Sequence, residues 1–234
     1  GFKVAVAYDL AGRGDGGFND LAYNGVAQAV EELDAELTEV TAKADDSDQD
    51  RLDRLRLLAE DGNQAIVAVG FTYAGPVSTV AAEYPDVWFG IVDDGTVDLP
   101  NVAGLVFAEQ EGSFLVGVAA ALKTETGKVG FIGGVNTPLI QKFEAGYVAG
   151  VQAVDPGITV EVAYLTQPPD FAGFNDPARG REAAKGMYDG GADIVYAAAG
   201  GSGNGVFQAA SEAGTSAIGV DADQYNTADE SVRD

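Results

Sequence analysis

Short apolar runs rich in Val, Ile and Phe alternate with helical segments along the chain, and this alternation constrains the fold more than any other feature. The first run covers residues 2–8, and seven further runs follow it. They lie at residues 65–69, 87–92, 102–107, 128–132, 158–164, 193–198 and 216–220. Apolar residues at helical spacing predict helices at residues 21–33, 50–60 and 111–123. Strand–helix alternation favours an α/β fold with a parallel sheet covered on both faces.

A polar stretch at residues 123–127, Lys-Thr-Glu-Thr-Gly, separates a long apolar helix from a new strand. Each side of it begins its own series of strands and helices. We therefore expect an N-terminal α/β lobe at residues 1–124 and a C-terminal α/β lobe at residues 125–234. Two lobes without a nucleotide-binding fingerprint indicate a hinged binding protein with its ligand in the cleft between the lobes.

Neither cysteine nor histidine occurs among the 234 residues, which excludes many kinds of site. Without cysteine there is no disulfide, thiolate metal site or cysteine nucleophile. Without histidine there is no Ser-His-Asp triad and no histidine-ligated zinc. Any catalysis would depend on carboxylates, lysine, tyrosine or a hard metal ion, and no feature of the sequence predicts a cofactor.

The formal net charge is −24, from 13 basic and 37 acidic residues. Such a charge repels nucleic-acid phosphates and anionic membrane surfaces, so we expect no nucleic-acid partner. A salt-tolerant source and an acidic bacterial surface protein both fit this composition, and both readings stay open. No apolar run approaches the roughly 18 residues of a membrane-spanning helix. Because the first residues lack the pattern of a signal peptide, we expect a cytosolic protein or a mature form.

A polar, glycine-rich segment at residues 9–20 joins the first strand to the first helix and ends beside an aromatic residue, Phe18, expected to be exposed. In open α/β sheets, ligands bind outside the carboxyl ends of strands, where loops and helix N-termini meet. The segment therefore predicts one wall of a ligand cleft. The alternative is a loop that only turns the chain.

A second glycine-rich segment, residues 200–205, follows a predicted strand and precedes a helix. Its small residues, beginning at Gly200, allow the backbone to approach a ligand closely. The segment does not match G-x-G-x-x-G and has no Walker lysine. We therefore expect a loop against a neutral polar ligand rather than a phosphate cradle.

Carboxylates follow two of the predicted strands. Asp221 lies in the segment 219–224 and could accept both hydrogens of a vicinal diol such as that of ribose. Asp93 directly follows the predicted strand at residues 87–92 and could accept hydrogen bonds from a diol in the same way. For both residues the alternative is a solvated acidic turn.

Aromatic residues in the Gly- and Pro-containing segment 171–177 predict a stacking surface. Phe18 from the first lobe and Phe174 from the second could enclose a planar ring between them, an arrangement that suits a nucleoside. The alternative is that these rings anchor their loops. Residues 45–50 resemble the start of a calcium loop, but Arg51 stands where that loop needs glycine, so a helix N-cap is the favoured interpretation.

Several short motifs occur in order over nearly the whole chain. They are Gly14-Asp15 with Phe18-Asn19-Asp20, and residues 111–117, 129–134, 143–150, 173–176, 191–195, 200–205 and 219–224. Together these motifs resemble the basic membrane protein family, the PnrA-like nucleoside-binding lipoproteins that serve as receptors for ABC importers.

The resemblance implies a type I periplasmic-binding-protein fold that captures purine or other nucleosides between its lobes and performs no chemistry. It implies that Asp9 and Asn19 bond the base edge, that Phe18 stacks on the base, and that Asp221 holds the ribose hydroxyls. Asp93, Phe174 and Gly200 are assigned to the ligand by their motif neighbourhood. The implied partner is a membrane permease, and the implied receptor is a monomer anchored outside the cell membrane by an N-terminal lipid.

Three departures from the family pattern matter. Gly17 stands where the family usually has serine, which removes a hydroxyl beside the stacking ring. The lipid-bearing cysteine is absent, as in a chain cut after its anchor. Family members also continue beyond the position of Asp234 and carry a later lysine that resembles a ribose ligand, so we expect this sequence to be part of a longer protein.

Two other functions fit the same residues. One is a nucleoside hydrolase that uses Asp9, Asp15 and a bound calcium ion, which would release ribose in a metal-dependent way. The other is the ligand-sensing lobe of a regulator, since one fold serves many functions.

Overall fold

The computed structural model describes residues 1–43, 46–228 and 230–232, and the chain divides into two compact units, Gly1–Phe107 and Ala108–Asp234. Each unit contains its own parallel β-sheet with helices packed on it, as the alternation of apolar runs predicts. Within the described part of the chain, no helix is long and apolar enough to cross a membrane.

The first unit begins with a strand and alternates strands and helices throughout. Its strands are β1 (Phe2–Tyr8), β2 (Ala35–Thr41), β3 (Ala65–Val69), β4 (Trp88–Val92) and β5 (Val102–Leu105). They form a five-stranded parallel sheet in the order β2-β1-β3-β4-β5. Its helices are α1 (Phe18–Leu33), α2 (Asp48–Glu60) and α3 (Ala74–Glu83), and a 3-10 turn, Phe71–Tyr73, precedes α3.

Strand β1 lies in the core of this unit because both of its faces are covered. Val6 and Tyr8 point to one face, where they pack with Val26 of α1. Ala5 and Ala7 belong to the opposite cluster, which contains Leu55 of α2. A strand buried on both faces is apolar along its whole length, which explains why this run is easy to recognise in the sequence.

Capping side chains determine where α1 and α2 begin. The Asp15 carboxylate accepts hydrogen bonds from the backbone amides of Gly17, Asn19 and Asp20, so α1 begins at Phe18, earlier than expected. Ser47 caps α2 in a capping box with Asp50, which confirms the N-cap interpretation of this segment. Asp45, the first residue of the calcium-like pattern, lies outside the described residues.

The second unit begins with a helix. Its helices are α4 (Glu109–Lys123), α5 (Pro138–Val154), α6 (Pro177–Asp189) and α7 (Gly203–Ala213). Its strands are β6 (Lys128–Val135), β7 (Thr159–Thr166), β8 (Ile194–Ala198) and β9 (Ser216–Ile218). The strands form a parallel sheet in the order β7-β6-β8-β9. Two 3-10 turns, Ala172–Phe174 and Gly200–Ser202, follow β7 and β8.

The division between the units falls before α4, earlier than the expected division after residue 124. Helix α4 packs closely on α5, where glycines bring the two backbones together. The polar stretch at residues 123–127 forms a turn inside the second unit. The Asp193 carboxylate holds this turn, because it accepts hydrogen bonds from the Thr124 hydroxyl and from the Glu125 and Thr126 amides.

Candidate functional site

In the first unit, the predicted site residues lie at the carboxyl edge of the parallel sheet. Asp9 directly follows β1, Phe18 and Asn19 form the start of α1, and Asp93 directly follows β4. The strand order places β3 between β1 and β4, so Gly70 lies at the same edge. This is the edge at which α/β proteins bind ligands.

Asp15 holds the loop that carries Phe18 and Asn19. The sequence alone did not indicate this structural role. Its buried carboxylate accepts from three backbone amides and from the Asn19 Nδ2, at 3.0 Å. The Asn19 Oδ1 in turn accepts from the backbone amide of Asp9, at 3.1 Å. The Asn19 side chain, only 2% exposed, therefore ties the loop to the end of β1.

Asp9 has an unusual environment for a carboxylate. Its Oδ1 is buried and has no hydrogen-bond partner among the described residues. Burial raises the pKa of Asp9, while the Leu10 amide and the positive charge of Arg51 act in the opposite direction. A side chain at Gly70, where φ is 105°, would place its Cβ 3.0 Å from the Asp9 Oδ2, so glycine leaves room for the carboxylate there.

The aromatic ring of Phe18 is half-buried rather than exposed as expected, because it packs against the core cluster of β1 and α1. Its position as the first residue of α1 places it next to Asn19 and close in sequence to Asp9. One part of the ring is therefore held by the core, and the rest is accessible.

Asp93 and Asp221, the two carboxylates predicted at strand ends, share an uncommon backbone conformation. Their φ angles are 67° and 64°, in the left-handed region. Such conformations are rare for residues other than glycine and cluster at ligand-binding positions. The backbone amide of Asp93 donates to the Leu105 carbonyl at 2.9 Å, which holds this turn against the end of β5.

In the second unit, Phe174 and Gly200 are brought together at the carboxyl edge of the sheet. A Cβ on Gly200, where φ is 55°, would lie 2.9 Å from the Phe174 carbonyl oxygen. A Cβ on Gly134, near the end of β6, would lie 2.5 Å from the ring of Phe174. The Ser202 hydroxyl donates to the Gly173 carbonyl and accepts from the Asp176 amide, so the two loops are joined.

Asp221 is exposed on the loop after β9, and Gln224 holds this loop in place. The buried Gln224 Oε1 accepts from the Val220 amide at 2.7 Å. Burial raises the pKa of Tyr196 to about 12, and the nearby negative charge of Asp221 contributes in the same direction. The Tyr196 hydroxyl lies 3.4 Å from the Ser113 hydroxyl.

Sequence reasoning missed Arg51 and Thr72 as possible parts of the site. Arg51 is 5% exposed, and its Nε has no hydrogen-bond partner in the described part of the chain. The Thr72 Oγ1 is also buried and unpartnered there. The sequence signal for Arg51 is its position four residues before the core residue Leu55, which places an arginine on the inner face of α2.

The arrangement provides hydrogen-bonding and stacking groups but no cluster that suits a metal. Among residues 1–43, 46–228 and 230–232, there is no group of three or more Asp or Glu side chains that could hold a metal ion. Each edge carries polar and aromatic side chains of the kind that line sites for small polar ligands.

A family model described as "ABC transporter substrate-binding protein PnrA-like" matches residues 2–233. The ABC transporter nucleoside-binding protein BmpA of Lactococcus lactis is 36% identical over 95% of this chain and 64% of its own length. The CD4+ T-cell-stimulating antigen of Listeria monocytogenes is 35% identical over 96% of this chain, again covering 64% of that protein. This chain thus spans 64% of the length of these relatives.

Among solved structures, an ABC transporter system solute-binding protein from Aeropyrum pernix K1 is similar, with a TM-score of 0.81 and 32% identity. The similarity covers 92% of this chain and 59% of that one. Together with the two parallel sheets, it confirms the type I periplasmic-binding-protein fold expected from the sequence.

Proposed function

This chain belongs to the family of PnrA-like ABC transporter substrate-binding proteins, and from that membership we propose that it serves as the receptor of an ABC importer. The observation that carries the proposal is the match of the family model over residues 2–233. The proposed ligand is a nucleoside, because the Lactococcus relative is named as a nucleoside-binding protein. Within that class we propose purine nucleosides.

The proposed base contacts are assigned in each unit by itself. Asp9 and Asn19 bond the edge of the base, and an amide nitrogen carries two hydrogens, so Asn19 can hold Asp15 and still donate to a ligand. Phe18 and Phe174 stack on the faces of the base. Base–aromatic stacking contributes about 1–3 kcal/mol per base in other proteins.

The remaining predicted residues are Asp221, assigned to the ribose, and Asp93 and Gly200, assigned to the ligand. Asp221 accepts hydrogen bonds from the ribose diol, since its exposed carboxylate is held in a left-handed turn. Asp93 has the same backbone conformation in the first unit and is assigned to the ligand for that reason. Gly200 is assigned to the ligand from its place in the glycine-rich loop, and it also lets this loop pack on that of Phe174, whose carbonyl oxygen would lie 2.9 Å from a Cβ there.

The proposed receptor binds its ligand without chemistry and passes it to a membrane permease. We propose that it works outside the cytoplasm as a monomer that is anchored by an N-terminal lipid. The absence of histidine and cysteine from the chain supports binding rather than catalysis.

Calorimetric titration of the chain with inosine, guanosine, adenosine and ribose tests this function. We expect nucleosides to bind and ribose alone to bind far more weakly. The variant Asp221→Asn keeps the shape of the side chain, and asparagine tolerates the left-handed backbone. It removes a charged acceptor that contributes about 1.5 kcal/mol or more, so the affinity for nucleosides falls about tenfold.

Asp223→Asn is the matched control, because Asp223 lies on the same loop and contacts Asn226 instead. Its affinity should equal that of the unaltered chain. A 2′,3′-dideoxynucleoside should bind as weakly to the unaltered chain as inosine does to Asp221→Asn. Equal affinity for the dideoxy compound and its parent would refute the role of Asp221, and release of free base would indicate the hydrolase instead.

A further inference from the structure

Three polar atoms are buried and unpartnered at the carboxyl edge of the first unit's sheet. They are the Asp9 Oδ1, the Arg51 Nε and the Thr72 Oγ1, and the statement holds within the residues that the structure describes. They come from three adjoining elements, since Asp9 follows β1, Thr72 lies in the turn after the neighbouring strand β3, and α2 packs on that turn. Buried polar groups without partners are uncommon in folded proteins and call for an explanation.

Arg51 is costly to leave in this state, because its side chain is charged and nearly fully buried. The ion pair that it makes within the described residues joins its Nη1 to the Asp48 Oδ1 at 3.5 Å. Asp48 is 87% exposed on its side chain, so water screens that pair. A ligand that accepts hydrogen bonds from the guanidinium would complete this site.

The neighbouring groups are already engaged with one another. The Tyr73 hydroxyl donates to the Tyr8 carbonyl and accepts from the Arg54 Nη1. Arg54 also pairs with Asp46. The Asn19 Oδ1 is occupied by the Asp9 amide. Arg51 and Asp9 interact electrostatically, but no ion pair within 4.0 Å joins them in the described residues.

We propose that Arg51 and Asp9 recognise a base that carries a carbonyl oxygen next to a ring N–H, the edge found in hypoxanthine and guanine. This inference rests on the proposed nucleoside function and adds the base class. The guanidinium of Arg51 donates to the carbonyl oxygen, with the Thr72 hydroxyl as a second donor. The Asp9 Oδ1 accepts from the adjacent ring N–H.

The chemistry of the two residues gives the direction of the preference. A guanidinium has donors and no acceptor, and it bonds the O6 and N7 acceptors of guanine better than the mixed edge of adenine. An ionised carboxylate only accepts, so it bonds the N1–H of a 6-oxopurine and repels the N1 lone pair of adenine. The site therefore favours inosine and guanosine over adenosine.

Ligand analogues test the proposal on the unaltered chain, so the test does not depend on the folding of a variant. We expect inosine to bind at least about tenfold more tightly than adenosine and than purine riboside, which lacks both the oxygen and the N1–H. We expect 1-methylinosine, in which a methyl group replaces the N1 hydrogen, to bind about tenfold more weakly than inosine as well. Equal affinity for inosine and purine riboside would overturn the proposal.

Two arginine variants on α2 assign the preference to Arg51. Arg51→Met should lose the part of the inosine preference over purine riboside that the carbonyl contact supplies, and the part from Asp9 and the ring N–H remains. Arg56→Met should keep the full preference, because Arg56 pairs with Glu83 on the surface. Circular dichroism shows whether each variant is folded. A preference in folded Arg51→Met that equals that of the unaltered chain would contradict the assignment.

The outcomes separate this inference from the function on which it rests. If the unaltered chain binds several nucleosides without the inosine preference, the base assignment is wrong and the receptor function stands. If it binds none of them, the receptor function is wrong, and the base assignment fails with it.

Discussion

Asp9 is a residue whose burial opposes the stability of the folded chain, and its proposed partner is the ligand. Its carboxylate is buried beside Gly70 with one oxygen unpartnered among the described residues, and burial raises its pKa above the ordinary 3.8. Arg51 offsets part of this effect with its positive charge. Functional groups are often destabilising in the free protein, because their partner is the ligand.

We predict that Asp9→Asn is more stable than the unaltered chain at neutral pH. Because the pKa of Asp9 is raised in the folded state, the contribution of protonated Asp9 to stability is fully present below the unfolded pKa of about 3.8 and is lost as pH rises through the folded pKa. The amide side chain of the variant does not titrate and loses no stability in this way. The difference in the free energy of unfolding in favour of Asp9→Asn therefore grows as pH rises.

Urea unfolding of both proteins from about pH 4 to pH 7.5 measures this difference in the free energy of unfolding. Asp223→Asn, on an exposed loop, should show no pH-dependent advantage of this kind. A difference between Asp9→Asn and the unaltered chain that stays constant across the range would contradict the raised pKa.

At the scale of secondary-structure elements, the pair α4 and α5 shows how glycines determine where a helix packs. A Cβ on Gly117 of α4 would lie 2.1 Å from the Tyr147 carbonyl oxygen of α5. A Cβ on Gly150 of α5 would lie 2.0 Å from the Phe114 carbonyl oxygen of α4. The backbones are therefore in contact, and this contact places α4 in the second unit.

We predict that Gly150→Ala lowers the free energy of unfolding by about 1–3 kcal/mol, because the helices must move apart to admit the methyl group. Gly112→Ala is the control on the same helix pair, since nothing lies within 4 Å of its Cβ position. Helix propensity alone should make that change neutral or stabilising, by up to about 1 kcal/mol. Thermal and urea unfolding compare the two, and equal effects would exclude close packing as the cause.

The elements that sequence reasoning missed have weak patterns for physical reasons. Strand β2 lies at an edge of its sheet and carries Glu36 and Glu39 between its apolar residues. Helix α3 is rich in alanine and contains glycine and proline, so its periodicity is faint. The central strands β1, β6 and β8 were recognised because burial on both faces requires continuous apolar sequence.

At the scale of the whole molecule, the formal charge of −24 over 234 residues dominates the electrostatics. The described salt bridges mostly join exposed side chains, so each contributes little. Repulsion among the unpaired carboxylates therefore opposes the compact state. Added salt shortens the Debye length from about 10 Å at 0.1 M to about 3 Å at 1 M, which weakens that repulsion.

We predict that the melting temperature rises by several degrees between about 0.1 M and 1 M NaCl, because screening relieves like-charge repulsion. Differential scanning calorimetry measures the shift. Choline chloride at the same concentrations should give a similar rise, since screening depends on ionic strength rather than on sodium. A melting temperature that stays constant or falls in both salts would show that repulsion between like charges does not limit the stability of the folded chain.

The sequence by itself determined the alternating parallel α/β plan, the family, and the location of the proposed site residues at strand ends, because burial and chain reversal restrict the residues allowed at each position. Only the tertiary structure decided that α4 belongs with the second unit, that Asn19 ties the loop to β1, and that Arg51 faces inward with its Nε unpartnered within the described part of the chain. These features depend on how elements pack and on which side chains bond, such as α4 on α5, Asn19 to the Asp9 amide, and α2 on the turn after β3. A local pattern cannot specify such contacts, since the same residues are equally compatible with an exposed position.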